Sequence, residues 1–377
     1  MKSGRKKVLC VIGTRPEAIK MAPVIACLHK SCKLRALVCV TSQHEEMLEE
    51  ALDVFSIRPD WDLRIMRHNQ SPDDVAHAVL ERLCPLLRQI GADCVLVQGD
   101  TTTAFAAALA AFYTSIPVGH VEAGLRTYRC DAPYPEEINR QMISRMAAIH
   151  FAPTGRAARN LVSEGIPRRM VHVTGNTVID SLRMALSGEL PPGELSAAVA
   201  AAVSEPGKKL VLVTAHRREN FKRGIRNICL AAGCLARRDD VAVAFPVHPN
   251  PNIAGRVNAM LGRRKNVFLL RPQPYPAFVR LMQASRLIIT DSGGIQEEAA
   301  YLGKPVLVTR EATERGEGVS ARAALLAGTR AAAITAAAAK ILDAAPARFA
   351  ARRAGKIYGD GHSAPAIVRI LEGLLCK

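Results

Sequence analysis

Aromatic residues are scarce: one Trp, six Tyr and nine Phe make up 4% of the 377 residues. The interior must therefore be built from Ala, Val, Leu and Ile. No two of the ten cysteines form a CxxC pair, and several lie in apolar runs where a thiol acts as a small hydrophobe. Reduced thiols in a cytoplasm are expected. Long hydrophobic runs are also missing. The opening MKSGRKK leads only into VLCVIG, too short for a secretory core or a membrane span. No spaced-glycine fingerprint follows the first apolar run, which argues against a nicotinamide site. HExxH and other metal-ligand spacings are absent. The formal net charge of +17 comes from 51 Lys and Arg against 34 Asp and Glu. These cations are dispersed. With no basic block, RNP-like aromatic pattern or zinc-finger spacing, neither nucleic acid nor a membrane surface is an expected partner.

What is present is alternation. Short apolar runs at 8–12, 36–41, 94–98, 118–121 and 149–152 read as buried parallel strands. A second series lies at 210–214, 241–246, 267–270, 287–290 and 306–308. Helix-length segments such as 17–30, 72–90, 102–113 and 225–237 separate them. Such alternation predicts parallel α/β sheets. Residues 186–209 hold Gly188, Pro191, Pro192, Gly193, Pro206 and Gly207 and read as a linker. The expected fold class is α/β, with two Rossmann-like doubly wound domains facing a central cleft, spanning 1–187 and 188–362. The amphipathic tail 363–377 is expected to pack back on the first domain. Residues 331–347, rich in Ala, read as helix.

Four motifs carry chemistry. The first strand ends in Gly13-Thr14-Arg15-Pro16-Glu17-Ala18-Ile19-Lys20. Helix N-terminal N–H groups with Arg15 and Lys20 suit a diphosphate, though a plain turn with surface cations reads equally well. Asp291-Ser292-Gly293-Gly294-Ile295-Gln296-Glu297-Glu298 follows a strand and opens a helix. Ser292, Gly293 and Gly294 can bring N–H groups to a phosphate, and Glu298 can accept ribose hydroxyls. A capping box is the alternative. Third come acids on separate loops: Asp100 after 94–98, Glu122 after 118–121, and Glu136 with Glu137 after Pro133-Tyr134-Pro135. Asp100 alone would read as an N-cap and Glu136 as a first-turn acid. Together on one rim they imply a crowded carboxylate site with raised pKa values, fit for acid–base work, with a divalent metal as the rival use. Fourth, His216 in Thr214-Ala215-His216-Arg217-Arg218-Glu219-Asn220 ends a strand of the second domain, and His248 sits in a later loop.

The strings GTRPEAIKMAPV, QGDTTTAFAAALAAF, HVEAGLRT, PYPEEINR, GNTVIDSL, TAHRREN, PVHPNPN and DSGGIQEEAAYLGKPVLVTREATER occur in this order. They resemble the non-hydrolysing UDP-N-acetylglucosamine 2-epimerases. The resemblance implies a glycosyltransferase-B-like pair of domains. It also implies removal of the proton at carbon 2 as UDP leaves carbon 1, through a 2-acetamidoglucal, with no cofactor and no metal. By motif, Asp100, Glu122, Glu136 and His216 match the catalytic groups. Arg15, Lys20, Gln273, Phe278, Ser292, Gly293, Gly294, Glu298 and Arg315 match UDP-site positions. Gln43, His44, Arg217 and His248 match an allosteric pocket for a second molecule of UDP-N-acetylglucosamine. The family's TGQH is Thr41-Ser42-Gln43-His44 here, and its TERPE is Thr313-Glu314-Arg315-Gly316-Glu317. A homodimer supplying N-acetylmannosamine units for surface polysaccharide is implied. The alternatives are a hydrolysing epimerase releasing N-acetylmannosamine and UDP, an epimerase of a diacetamido-uronate nucleotide, and a UDP-sugar glycosyltransferase.

Overall fold

The computed structural model describes residues 4–42, 45–67, 70–191, 194–215, 223–248, 250–311, 313–344 and 356–376. The chain divides into two compact units, Met1–Met184 with Tyr358–Lys377, and Ala185–Ile357.

The first unit is a seven-stranded, all-parallel sheet of β1 (Lys6–Ile12), β2 (Leu34–Val40), β3 (Trp61–Asp62), β4 (Cys94–Gln98), β5 (Val118–Val121), β6 (Ile149–Ala152) and β7 (Val171–Val173). The order is β3-β2-β1-β4-β5-β6-β7. The central strands are apolar along their length because helices cover both faces. One face packs on α1 (Arg15–Lys30), the other on α3 (Pro72–Ile90) and α4 (Thr102–Tyr113). In α4, Ala106, Ala107, Ala108, Ala110 and Ala111 are fully buried, and these small side chains let it lie between α3 and α5 (Glu136–Met146). A capping box at Ser71 and Asp74 starts α3, and Gly91 at φ +57° ends it.

The second unit is a six-stranded parallel sheet of β8 (Lys209–Thr214), β9 (Val241–Pro246), β10 (Val267–Leu270), β11 (Leu287–Thr290), β12 (Val306–Val308) and β13 (Ala324–Leu326). Its order is β10-β9-β8-β11-β12-β13. The doubly wound α/β fold expected from the alternation is thus present twice. Sequence reading missed β3, β7 and β13. Each is only two or three residues long and partly exposed, too short to show a period.

In both sheets the winding direction reverses beside the first strand, and ligands of such sheets bind outside the carboxyl ends at that point. In the first unit the reversal lies between β1 and β4, so the Gly13–Lys20 and Gly99–Thr102 turns adjoin. In the second it lies between β8 and β11, beside Asp291–Gly294.

After the second unit the chain returns at Tyr358. The last helix, α15 (Ser363–Leu375), contributes Ala364, Ile367, Val368 and Leu371 to the core beneath α1. Its N-terminal amides at Ser363 and Ala364 donate to Asp180 at 3.2 and 2.9 Å, and Glu372 accepts from Ser31 at 2.6 Å. Among the described residues, no helix is long and apolar enough to cross a membrane. Cys10, Cys39, Cys94 and Cys229 are buried as free thiols, and burial pushes Cys39, Cys94 and Cys229 up to about 12.

Candidate active site

Glu122 follows β5 with a left-handed backbone, φ +67°, a conformation that costs a non-glycine residue on the order of 1 kcal/mol or more. The turn is held from both sides: Gly99 N donates to Val121 O and Ala123 N to Phe151 O, each at 3.0 Å. Gly124, at φ +89°, could not be replaced, since a Cβ there would sit 2.2 Å from the Ala157 carbonyl oxygen. The Glu122 carboxylate is buried and receives three side chains. Lys20 Nζ lies 2.8 and 2.6 Å from its two oxygens, Asn176 Nδ2 donates to Oε1 at 3.0 Å, and Gln98 Nε2 donates to Oε2. Three converging donors complement a carboxylate rather than a carboxylic acid.

Asp100, one loop away, is more open, with 27% of its side chain exposed, and pairs with Arg140 Nη2 at 2.6 Å. Asn139 Nδ2 donates to the Asp100 carbonyl at 3.0 Å. Both partners belong to α5, so Glu136 at the head of that helix is tied to the Asp100 loop. Glu137 is fully buried, takes the N–H groups of Thr127 and Tyr128, and stands 3.4 Å from Arg140.

Beneath these groups lie buried ionisable side chains. Glu17 accepts from Gly13 N at 3.1 Å, Thr14 Oγ1 at 2.7 Å and Thr101 Oγ1 at 2.8 Å, joining the β1–α1 and β4–α4 turns. Burial pushes its pKa up to about 7, against the opposing pull of these hydrogen bonds. His120 Nε2 lies 2.7 Å from the Gly99 carbonyl oxygen, so that nitrogen carries the proton. Burial lowers His120 to about 4 and its register neighbour His150 to about 3, and both rings are neutral at ordinary pH. The raised carboxyl is thus Glu17, which was not among the loop acids expected to crowd one another, and burial rather than crowding causes it.

In the second unit, α12 (Gly293–Tyr301) begins at Ser292 without a side-chain cap, so no capping box forms there. Ser292 N donates to Thr290 Oγ1 at 2.9 Å, and Thr290 Oγ1 lies 2.7 Å from Thr214 Oγ1. Arg315 crosses the helix start. Its Nε donates to Glu297 at 3.0 Å, its Nη1 bonds Glu314, and Arg310 bonds Glu314 at 2.9 Å. Gly293 leaves room for this crossing: a Cβ there would come within 2.5 Å of Arg315 Nη1, so the Arg315 and Glu314 side chains would have to shift. Gly294 has open space where a Cβ would stand. Glu298 accepts from the Tyr275 hydroxyl at 2.8 Å. Among the described residues, no group of three His, Cys, Asp or Glu side chains is placed to hold a metal ion.

The UDP-N-acetylglucosamine 2-epimerase family profile matches residues 26–372. The UDP-N-acetylglucosamine 2-epimerase of Escherichia coli K12 is 48% identical over 371 residues, covering 98% of each chain.

The chain belongs to the UDP-N-acetylglucosamine 2-epimerase family.

The Salmonella typhimurium 2-epimerase is likewise 48% identical, over 97% of this chain and 98% of its own. The Neisseria meningitidis 2-epimerase bound to UDP-GlcNAc is 44% identical, with a TM-score of 0.90 over 97% of this chain and 100% of its own. A Staphylococcus aureus co-structure with UDP has a TM-score of 0.91 at 39% identity, over 98% of this chain and 97% of its own. A spinosyn rhamnosyltransferase, at 15% identity and a TM-score of 0.60, shares the fold.

Against the epimerase motifs, the first unit brings Lys20, Asp100 and Glu122 to one sheet end and ties the α5 turn of Glu136 to them. Arg15 opens α1 and lies 3.9 Å from Glu50. In the second unit Ser292, Gly293, Gly294 and Arg315 share the α12 N-terminus. Glu298 lies one turn on, joined to α11 (Tyr275–Ala284) by Tyr275, and Phe278 is half-buried on that helix. Gln273 precedes α11 and donates to the Arg271 carbonyl at 2.8 Å. His248 is half-buried and accepts from Asn250 N at 3.2 Å. Gln43, His44, His216 and Arg217 lie outside the described residues. The N-cap of α4 is Thr101, which leaves the Asp100 carboxylate to Arg140. Ser42 adopts φ +50°, where the family has glycine, and its hydroxyl donates to Asp62 at 2.8 Å. Sequence reading did not assign Gln98, Asn176, Tyr275 or Glu297. Gln98 carried a usable signal, an amide side chain at the carboxyl end of a readable strand, whereas Asn176 had only its place in the GNTVIDSL string.

Proposed function

We propose that this epimerase interconverts UDP-N-acetylglucosamine and UDP-N-acetylmannosamine without hydrolysis. A carboxylate takes the proton from carbon 2, the carbon 1–oxygen bond breaks, and the electron pair leaves with UDP. The resulting 2-acetamidoglucal is protonated at carbon 2 from the other face as UDP adds back to carbon 1. That proton is not acidic, so its loss needs a stabilised leaving group and an environment closed to water. Ser292, Gly293, Gly294 and Arg315 are assigned to the diphosphate and Glu298 to the ribose. Asp100, Glu122, Glu136 and His216 form the acid–base set. Binding of UDP-GlcNAc by the Neisseria relative supports the substrate. The observation that carries the reading is Glu122, a buried carboxylate in a left-handed turn at a strand's carboxyl end, fed by three donors beside the Asp100–Arg140 pair. A second substrate molecule at Gln43, His44, Arg217 and His248 is proposed as an activator.

Pure protein with UDP-N-acetylglucosamine in heavy water tests this. Proton and phosphorus NMR are expected to show UDP-N-acetylmannosamine, deuterium at carbon 2 and little free UDP. Free UDP rising in step with sugar turnover would show a hydrolysing enzyme. Turnover without deuterium at carbon 2 would remove the proton-transfer mechanism.

A further inference from the structure

We propose that Asn176 is a positioning residue for Glu122, and that the chain returning at Tyr358 holds Asn176 in place. The inference rests on the epimerase reading, in which Glu122 moves a proton.

Asn176 is buried, 1% exposed, between β7 and α7 (Thr177–Ser187). Its Oδ1 accepts from Val178 N at 3.1 Å. A backbone N–H can only donate, so this bond fixes the orientation of the amide. The NH₂ end then faces Glu122 and donates to Oε1 at 3.0 Å. One side chain thus caps α7 and aims a donor at the carboxylate. Its backbone is fixed from elsewhere: Asn176 N donates to the Tyr358 carbonyl at 2.7 Å.

That contact depends on a crossing of two glycines. Gly175 has φ +87° and Gly359 has φ +118°. A Cβ on Gly175 would lie 2.6 Å from Ser363 Oγ, and one on Gly359 would lie 3.1 Å from the Gly175 Cα. Only two bare backbones approach so closely. The crossing is clamped just beyond. Asp180 takes the first amides of α15, and Arg183 Nη1 donates to the Gly361 carbonyl at 2.9 Å. Further along, α15 packs on α1, the helix that carries Lys20. The returning segment therefore braces two of the groups that bond Glu122, Asn176 directly and Lys20 through α1.

The test compares full-length wild type, Asn176→Ser and Gly359→Ala in the conversion of UDP-N-acetylglucosamine, with rates corrected for folded fraction by circular dichroism. Serine keeps a helix cap but is too short to donate to Glu122. We expect Asn176→Ser to lower kcat by about tenfold or more with KM within about twofold, the pattern of a misplaced reacting group. Gly359→Ala, which touches nothing at Glu122, is expected to give the same split to a lesser degree. If Asn176→Ser does not fold, Gly359→Ala alone decides. Folded variants with kcat within about twofold of wild type would overturn the positioning role. A wild-type chain that converts nothing would instead overturn the epimerase reading beneath it.

Discussion

Glu17 contains a carboxyl group whose ionisation folding opposes. Its folded pKa, about 7, stands above the ordinary 4.5 because burial disfavours the charged form. Between those values the unfolded chain has released the proton while the folded chain retains it, so stability falls as pH rises from about 4.5 to about 7 and is flat above. The loss is on the order of 3 kcal/mol. Glu17→Gln is expected to lack this slope. Urea unfolding of both proteins at pH 5 and pH 8 reads it directly, and equal pH dependence would remove Glu17 as the cause. The residue was legible in the sequence only as part of a turn motif, because its burial depends on Thr101 from a turn about eighty residues away.

Strands buried along most or all of their length, such as β1, β4, β8, β9 and β12, could be read from the sequence, since a strand covered on both faces is largely apolar. The three short strands could not, and one had a consequence for the site. Asn176 lies just beyond β7, so missing that strand hid the amide's place at a sheet end. The reach of Tyr275 to Glu298 was hidden for another reason: α11 and α12 are separated by β11, and only packing brings them together. Asp100, Glu122 and Ser292–Gly294 were legible because each directly follows a readable strand. Contacts between elements also set which turns tolerate change. A Cβ on Gly13 would stand 2.5 Å from Thr103 Oγ1 and 2.7 Å from Thr103 Cβ, so the β1–α1 turn lies directly on α4. Gly13→Ala is expected to cost about 1–3 kcal/mol, as overpacking does. The unfolding midpoint should drop by several degrees, and an unchanged midpoint would show that the two turns separate freely.

For the whole molecule, two parallel sheets were readable from the strand–helix alternation. Under the proposed function UDP binds the folded chain alone. At about 100 times its Kd it should then add about 2.7 kcal/mol to stability. A thermal melt with and without UDP measures this, and no rise in the midpoint would count against the second-unit phosphate site. The path of the chain has a further consequence for biosynthesis. A ribosome makes residues 358–377 only after it has made all of the second unit, yet they complete the first. The core on the α1 face of the N-terminal sheet therefore stays unfinished through the translation of the second unit. Nascent chains halted before Tyr358 would lack the carbonyl that holds the Asn176 backbone, so under the proposed function premature termination should leave Glu122 less firmly positioned rather than merely shorten the chain.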